Sequence, residues 1–320
     1  MRIFLAGGTG ALGRRLIPLL AKGGHHITAT TRSREKFDTL RSLGAEPVVM
    51  DGLDRQSVLE SVRSARPDVV VHEMTALTHL RNFRKFDEEF ALTNRLRTEG
   101  TEHLLDAAQA AKARRLVAQS YAWWSDRRQG SHLKTEEEPI DPNPPRAMAQ
   151  TREAIDRLET LVMNASGISG IVLRYGSFYG PGTFLDRGSE ILEQVRRRRF
   201  PIFGNGSSVW SFIHIDDAAE ATRLAIESRQ TGIYNIVDDD PAEIAVWLPE
   251  LAKVLGAPRP YHLPAWLGRM LLGEAGMAVM EGAQGSSNEK AKRELGWKPG
   301  YPRWRDGFRE LAPERARTAA

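Results

Sequence analysis

The sequence has no cysteine among its 320 residues and no long apolar run. Without cysteine there is no disulfide and no thiolate metal ligand, which excludes the disulfide-stapled secreted class and thiolate zinc sites. This composition fits the cytoplasm, where we expect the protein to act. Because no apolar run could cross a bilayer and only four apolar residues precede the first glycines, we expect neither a membrane span nor a signal peptide.

A large excess of one charge is also absent. The 45 Lys and Arg residues nearly balance the 41 Asp and Glu residues, and the net charge is +4. The basic run 196–199 closes an amphipathic helical pattern without interleaved aromatic residues, which favours a solvated helix face over a nucleic-acid site. No His, Asp or Glu group has convincing metal-site spacing, so we predict no metal. We therefore expect a small-molecule substrate, which could be anionic, and neither nucleic acid nor a membrane as partner.

The N-terminal stretch carries the strongest pattern. Residues 3–6 form a short apolar run typical of a buried strand, the glycine-rich turn GGTGALG occupies 7–13, and a helical pattern begins at Leu12. Strand, glycine turn and helix in this order build the phosphate site of a dinucleotide-binding βαβ unit, in which the helix N-terminus attracts the pyrophosphate. The residues expected to bind the cofactor here are Gly7, Thr9, Gly10, Ala11, Leu12 and Gly13.

The end of the predicted second strand indicates which dinucleotide binds. An acidic residue there accepts the ribose hydroxyls of NAD, whereas arginine accommodates the additional phosphate of NADP. This chain has Thr31-Arg32-Ser33-Arg34, with no carboxylate before Glu35. We predict NADP(H) as the cofactor, with NAD second, and binding of its phosphate by Thr31, Arg32 and Arg34. The alternative is that the two arginines are simply exposed at the start of a helix.

Apolar runs and helical patterns alternate along the chain. This alternation predicts an α/β fold, a Rossmann-type doubly wound parallel sheet with ligands beyond the carboxyl ends of its strands. We expect a dinucleotide-binding domain over 1–180 that residues 209–240 rejoin, a smaller C-terminal substrate-binding or lid domain from 181–208 and 241–312, and a disordered tail over 313–320. Among the helical patterns, three predict helices over 94–113, 147–163 and 217–228.

Together these motifs resemble the extended short-chain dehydrogenase/reductase family, also called the NAD-dependent epimerase/dehydratase family. GGTGALG resembles its phosphate turn, and Asp51 with Gly52 resembles its adenine contact. Asn94 with Gly100-Thr101 is similar to a helix motif of that family, as LRYGSFYGPG (173–182) is to a strand end. The segments WSFIHIDDAAEA (210–221) and SNEKAKRELGWKP (287–299) also match. The resemblance implies a nicotinamide-dependent oxidoreductase or epimerase, but it says little about the substrate.

The chain departs from that family at the proton donor. Typical members carry Tyr-x-x-x-Lys on the helix after the fifth strand, and the tyrosine passes a proton while hydride moves. Here the two positions are Met148 and Arg152, and no Tyr-x-x-x-Lys occurs anywhere. Methionine cannot transfer a proton, whereas Arg152 can still hydrogen-bond the cofactor's ribose hydroxyls as the family's lysine does.

Tyr121 stands where the resemblance places the catalytic serine or threonine, next to Ser120. Its phenol could supply the missing acid, with the charge of Arg152 favouring the phenolate, or it could be an aromatic wall of the site. The catalytic candidates are therefore Tyr121, Ser120 and Arg152. Trp123 and Trp124 could line a flat apolar pocket or pack under the lid.

Two further residues are expected to be structural. His72 closes the fourth strand and is expected to support the fold rather than to act as a base. Asp217 is expected to cap the helix that follows it.

Three functions stay open at this point. The first is an NADP-dependent oxidoreductase acting on a small carbonyl, alcohol or activated alkene. The second is an epimerase or dehydratase of a sugar-type substrate, and the third is a non-catalytic NADP-binding regulator or scaffold, which Met148 favours. The resemblance also implies a C2 homodimer built from helices 94–113 and 147–163. Its core and seam residues are expected to be Leu104, Leu105, Ile155, Leu158 and Leu161.

Overall fold

The computed structural model describes residues 1–77, 82–124 and 131–313. A seven-stranded parallel sheet organises this part of the chain. Its strands are β1 (Arg2–Ala6), β2 (His26–Thr31), β3 (Glu46–Val49), β4 (Val69–His72), β5 (Arg115–Tyr121), β6 (Ser169–Tyr175) and β7 (Gly232–Ile236). Their order in the sheet is β7-β6-β5-β4-β1-β2-β3. This is the doubly wound order, which confirms the predicted α/β class and places the switch point between β1 and β4.

Helices follow the strands and cover both faces of the sheet. They are α1 (Ala11–Lys22), α2 (Phe37–Leu43), α3 (Arg55–Ala65), α4 (Phe86–Arg97), α5 (Glu99–Ala110), α6 (Ala149–Met163), α7 (Glu190–Arg196), α8 (Ile215–Glu227), α9 (Ile244–Val254), α10 (Ala265–Glu281), α11 (Glu289–Leu295) and α12 (Trp304–Phe308). Short 3₁₀ turns occur at Arg34–Lys36, Phe83–Lys85, Ala122–Trp124, Arg146–Met148 and Arg309–Leu311.

Four pairs of short strands lie outside the main sheet. The pairs are Ser177–Tyr179 with Phe212–His214, Ile202–Phe203 with His262–Leu263, Val209–Trp210 with Ala242–Glu243, and Leu133–Lys134 with Gly285–Ser286.

The strand β1 shows why the sheet needs helices on both sides. Ile3 and Leu5 point into a core shared with α1 and α8, whereas Phe4 and Ala6 point into the opposite core with α3 and α5. Successive side chains of a strand alternate between faces, so an apolar run buries both faces at once.

A third core lies in the C-terminal half of the chain. It packs the aromatic side chains of Tyr179, Trp247, Trp304 and Phe308 around Phe212. Trp297 belongs to the sheet core instead, and Trp266 is 64% exposed. The predicted disordered tail falls almost entirely on residues outside the described ranges. Within those ranges, no helix is both long enough and apolar enough to cross a membrane.

The helix predicted over 94–113 is two helices in the structure. The first, α4, begins earlier, at Phe86, whose ring stacks on Phe90 with 4.4 Å between the ring centroids. Thr98 separates α4 from α5 with φ −93° and ψ −81°. Its hydroxyl donates to the carbonyl oxygen of Asn94 at 3.0 Å, and this bond accompanies the break between the two helices.

The expected cap of α8 was also wrong. His214, rather than Asp217, is the N-cap, and its Nδ1 accepts a hydrogen bond from the amide of Asp216 at 3.2 Å. The carboxylate of Asp217 accepts from the amides of Gly300 at 2.7 Å and Tyr301 at 2.8 Å. The carboxylate therefore ties the C-terminal segment to α8, a long-range contact that local spacing does not reveal.

Candidate active site

The glycine turn after β1 packs directly against the neighbouring strand ends. Gly7 has φ +102°, and a Cβ there would lie 2.5 Å from the carbonyl oxygen of Glu73, just beyond β4. A Cβ on Gly13 would lie 2.7 Å from the carbonyl oxygen of Gly7. The amide of Gly7 donates to Thr30 Oγ1 at 3.0 Å, which ties the turn to β2. Only glycine fits at both positions, so this cradle depends on the absence of side chains.

The first turn of α1 leaves donors available for an anion. Gly10 is the N-cap and has no side chain to cap the helix, while its own amide donates to the carbonyl oxygen of Gly7 at 3.0 Å. The amides of Ala11, Leu12 and Gly13 have no acceptor among the described residues. The backbone thus fits a dinucleotide pyrophosphate at the positive end of the helix dipole. Thr9 lies in the same turn, half-buried, and its carbonyl oxygen accepts from Arg14.

The three residues predicted to select NADP lie at the end of β2, on the same edge of the sheet as the glycine turn. Arg32 and Arg34 are exposed, and neither guanidinium group has a hydrogen-bond or ion-pair partner among the described residues. Thr31 is buried, and its hydroxyl is bonded to the backbone of Ser33 at 3.2 Å. Two guanidinium groups are therefore free to bind a phosphate, whereas the Thr31 hydroxyl is already engaged.

The predicted adenine contact lies beyond β3. Asp51 is exposed, and its carboxylate accepts from the amide of Leu53 at 3.0 Å. A Cβ on Gly52 would lie 2.6 Å from the sulfur of Met74, and the ring of His103 is bonded to the carbonyl oxygen of Gly52 at 3.1 Å. The turn is therefore closely packed, with the Asp51 carboxylate at its surface.

His72, at the end of β4, has the structural role expected for it. Its Nδ1 accepts from the amide of Met74 at 3.2 Å, so its Nε2 donates to the carbonyl oxygen of Leu96 at 3.1 Å. Burial lowers the pKa of the imidazole to about 4. His72 is therefore neutral at neutral pH and links β4 to α4.

Glu73, the residue that follows β4, is buried beside the glycine turn. Tyr175 donates to its Oε1 at 3.1 Å, and the Tyr175 hydroxyl is itself bonded to that of Thr222 at 2.7 Å. Its Oε2 is buried without a partner among the described residues. Burial raises the pKa of this carboxyl group to about 8, so Glu73 is mostly protonated at neutral pH.

Methionine rather than a proton donor stands at the N-cap of α6, at position 148. Met148 is fully buried in a cluster with Phe86, Ile140, Ile155 and Ala275, and the ring of Tyr121 packs against the same cluster. Arg152, one turn later, donates to the carbonyl oxygen of Asp141 at 2.9 Å and to the Asp156 carboxylate at 3.3 Å.

The two adjacent candidates on β5 point in opposite directions, as neighbouring residues of a strand do. Ser120 donates to Glu159 Oε1 at 2.6 Å, on the α6 side. The hydroxyl oxygen of Tyr121 lies 3.0 Å from that of Ser177, in a small depression also lined by Trp123 and Trp210. The structure therefore places Tyr121 with Met148 and separates it from the Ser120 hydroxyl.

Burial raises the pKa of the Tyr121 phenol, and two neighbours oppose this effect. They are the hydrogen bond to Ser177 and the positive charge of Arg97. Arg97, the last residue of α4, is buried and charged and was not among the predicted site residues. Its position three residues after Asn94, on the inward face of a helix, is the sequence signal that could have identified it.

Metal-ligating side chains do not cluster in the part of the chain that the structure describes. No group of three or more His, Asp or Glu side chains among those residues could hold a metal ion.

Comparisons with known proteins agree with this geometry. A Streptomyces protein named 3-diazoavenalumate denitrifying reductase is 45% identical over 312 residues, covering 96% of this chain and 99% of the relative. A ketoreductase from Stigmatella aurantiaca, named for a 4-hydroxy-2-methyl-3-oxo-4-farnesyl-3,4-dihydroquinoline-1-oxide, is 29% identical over 320 residues, covering 93% and 92% of the two chains. The structure of UDP-glucose 4-epimerase from Thermus thermophilus in complex with NAD has the same fold. It shares 23% identity, covers 100% of both chains and superposes with a TM-score of 0.73.

The family assignment rests on these matches together with the fold. The sequence profile of the NAD-dependent epimerase/dehydratase family matches residues 3–237. These residues include the glycine turn, β1 to β7 and α6. A nicotinamide dinucleotide is accordingly the cofactor class that the cradle fits. The chain belongs to the NAD-dependent epimerase/dehydratase family.

Proposed function

We propose that this protein is an NADPH-dependent reductase that removes the diazo group of an aryl diazo compound and puts hydrogen in its place. The observation that carries this proposal is the 45% identity, over almost the full length of both chains, to a reductase named for a diazo substrate and a denitrifying reaction. The proposal narrows the oxidoreductase expected from the sequence to one acceptor class.

The absence of the family's catalytic tyrosine supports an aryl diazo compound as the hydride acceptor. Reduction of a ketone creates an alkoxide that must be protonated, so it needs an acid beside the reacting carbon. An aryl diazonium ion needs none, because hydride and the ion together give the arene and dinitrogen. The new C–H bond takes the hydride pair, the C–N bond pair leaves with dinitrogen, and no proton is consumed. Met148 stands at the position of the family's acid. This residue is compatible with reduction of a diazonium ion, but not with the family's usual form of ketone reduction.

The bound cofactor supplies the hydride from its reduced nicotinamide ring, and the chain's residues hold and shield the reactants. The amides of Ala11, Leu12 and Gly13 would bind the pyrophosphate. Arg32 and Arg34 would bind the phosphate that distinguishes NADP from NAD. The aromatic side chains of Tyr121, Trp123 and Trp210, which line the depression, would form an apolar wall for an aromatic ring and help to keep water from the reacting carbon.

Reduction of a ketone is the second candidate function. It is favoured by the Tyr121 hydroxyl, which lies 3.0 Å from Ser177 at the end of β5, where an acid could act. The Stigmatella relative is named as a ketoreductase, which fits the same function.

The two functions differ in the compound that accepts hydride, so assays with the two acceptors distinguish them. NADPH oxidation is followed with diazotised 3-amino-4-hydroxybenzoate and, separately, with 3-acetyl-4-hydroxybenzoate, which has a ketone in place of the diazo group. We expect turnover with the diazo compound that exceeds both the enzyme-free rate and the rate of Gly13→Ala, in which a Cβ disrupts the cradle. Turnover of the ketone alone would replace the first proposal by the second.

A further inference from the structure

Arg97 is a buried cation, and its side chain has no hydrogen-bond or ion-pair partner in the part of the chain that the structure describes. The residue is 7% exposed, and its Nε and Nη1 atoms are buried with no hydrogen-bond acceptor among the described residues. Burial lowers its pKa to about 10, so the guanidinium stays protonated at neutral pH. Burying a charge without a hydrogen-bonded partner costs free energy, so binding of an anionic group to Arg97 would reduce this cost.

The last turn of α4 places this charge at the reacting end of the site. Leu96 accepts from His72 at the end of β4. One turn earlier, the side-chain amide of Asn94 donates to Thr151 on α6 at 2.9 Å. Arg97 therefore lies between the end of β4 and α6, and its charge acts on both Tyr121 and Glu159. The switch point beside β4 is where ligands of this fold bind.

The carboxylate of Glu159, on which the charge of Arg97 acts, already accepts hydrogen bonds from other side chains. Glu159 accepts two hydrogen bonds from Arg174, at 2.8 and 2.6 Å, and a third from Ser120. Arg174 Nη1 is buried and also lacks a partner among the described residues. Two guanidinium groups thus face the Glu159 carboxylate, and only Arg174 is hydrogen-bonded to it, so the charge of Arg97 has no hydrogen-bonded counter-ion among the described residues. A ligand with a negatively charged oxygen would balance it.

We propose that Arg97 is a specificity-determining residue that stabilises a phenolate oxygen carried by the reacting ring of the substrate. The charge of Arg97 acts on the Tyr121 phenol at the end of β5, so we place the phenolate oxygen next to the reacting carbon rather than at a distant end of the substrate. This identification of the ring rests on the proposed diazo reduction. In a hydroxyaryl diazonium ion, loss of the phenolic proton sends negative charge into the ring. A guanidinium at the oxygen keeps that charge on the oxygen, so the diazo group stays electrophilic.

The test uses 4-nitrophenol as the probe, because its phenolate has its own visible absorption band. The bound probe is titrated in the parent protein with NADP present, and its apparent pKa is compared with that of the free phenol. We expect the pKa of the bound phenol to be lower by about 1 to 3, as for an acid beside a buried cation. Equal values for bound and free phenol in the parent would overturn the proposal without any variant.

Variants assign the effect to Arg97. Arg97→Met should raise the pKa of the bound phenol towards or above the value in water, whereas Arg97→Lys should keep part of the effect. The matched control is Arg95→Met, on the same helix, where the arginine is exposed and paired with Glu99 at 2.8 Å. A folded Arg97→Met or Arg97→Gln protein, checked by circular dichroism, that ionises the probe like the parent would refute the assignment.

Turnover separates this proposal from the proposed function. The parent should reduce a hydroxylated benzenediazonium at least tenfold faster than its analogue without the hydroxyl group, and Arg97→Met should lose that preference. If diazo compounds are not reduced but the nitrophenol result holds, the proposed function fails and Arg97 remains a phenolate site. If diazo compounds are reduced with no preference for the hydroxyl group, the role of Arg97 fails and the function remains.

Discussion

The hydroxyl oxygens of Tyr121 and Ser177 lie 3.0 Å apart at the end of β5. This pairing holds the phenol against the cluster that contains Met148, in the place where a proton donor would have to act. Because removal of a diazo group consumes no proton, we expect Tyr121→Phe to keep diazo turnover within about tenfold of the parent. Ketone reduction by the same protein would fall by roughly 100-fold or more, as loss of a general acid requires.

Single-turnover mixing of enzyme, NADPH and each acceptor measures this difference. Ser177→Ala serves as the control, because it removes the hydrogen bond and leaves the phenol in place. A 100-fold loss of diazo turnover in Tyr121→Phe alone would make Tyr121 a catalytic acid and contradict the proton-free reaction.

Arg32 and Arg34 are exposed and lack partners among the described residues, which leaves both free for the phosphate of NADP. We expect NADPH to bind more tightly than NADH by about 1–3 kcal/mol, the contribution of one or two charge-assisted hydrogen bonds. The double variant Arg32→Ala/Arg34→Ala should lose most of that preference and keep its NADH affinity. Calorimetric titration with both cofactors tests this, with Arg41→Ala on α2 as the control. Equal affinities in the parent would count against NADP as the cofactor.

The Glu73 carboxyl group makes stability depend on pH. Its pKa is about 8 in the fold against an ordinary value of 4.5, so the folded state binds more protons than the unfolded state between these pH values. The free energy of unfolding should therefore fall as pH rises from about 4.5 to 8. Glu73→Gln, which keeps the hydrogen bond from Tyr175, should remove this dependence and be the more stable protein at pH 8.

Urea unfolding of parent and Glu73→Gln at several pH values gives the comparison. His72 has its pKa lowered to about 4 and acts in the opposite direction below pH 6.5, but its contribution is common to both proteins and cancels in the difference. Exposed Glu89→Gln is the matched control. A constant difference between parent and Glu73→Gln from pH 5 to 8 would show that the Glu73 carboxyl group does not titrate in this range.

Assembly as a C2 homodimer stays a prediction, and the structure changes which residues could form its seam. Leu104, Leu105, Ile155 and Leu158 are buried within the chain's own core. Leu161 remains half-buried on α6, beside Arg157, which pairs with Glu102 of α5 at 2.7 Å. We expect light scattering to give a dimer mass at micromolar protein and Leu161→Glu to lower it. A monomer mass for the parent would rule out this assembly.

Much of the sheet and the cofactor cradle follows from local sequence. Ile3 to Ala6 are buried on both faces, and only glycine fits at Gly7 and Gly13, so periodicity and glycine spacing identify them. Other features depend on contacts between distant residues. Glu73 is mostly protonated because the surrounding core buries it, an effect that the hydrogen bond from Tyr175 only partly opposes. Arg97 faces the site because Thr98 ends its helix there.

The N-cap of α8 is another feature that the local sequence pattern does not determine. His214 and Asp217 are both suitable caps by residue type and spacing. The structure uses His214 because the Asp217 carboxylate binds amides near residue 300, more than 80 positions along the chain.

The most direct test of the account is the stoichiometry of one reaction. The protein is mixed with NADPH and a hydroxybenzenediazonium carrying ¹⁵N at both nitrogens. The proposed function predicts one doubly labelled dinitrogen molecule and one nitrogen-free arene for each NADPH oxidised. A product that retains both nitrogens as a hydrazine, or NADPH oxidation without release of labelled dinitrogen, would contradict it.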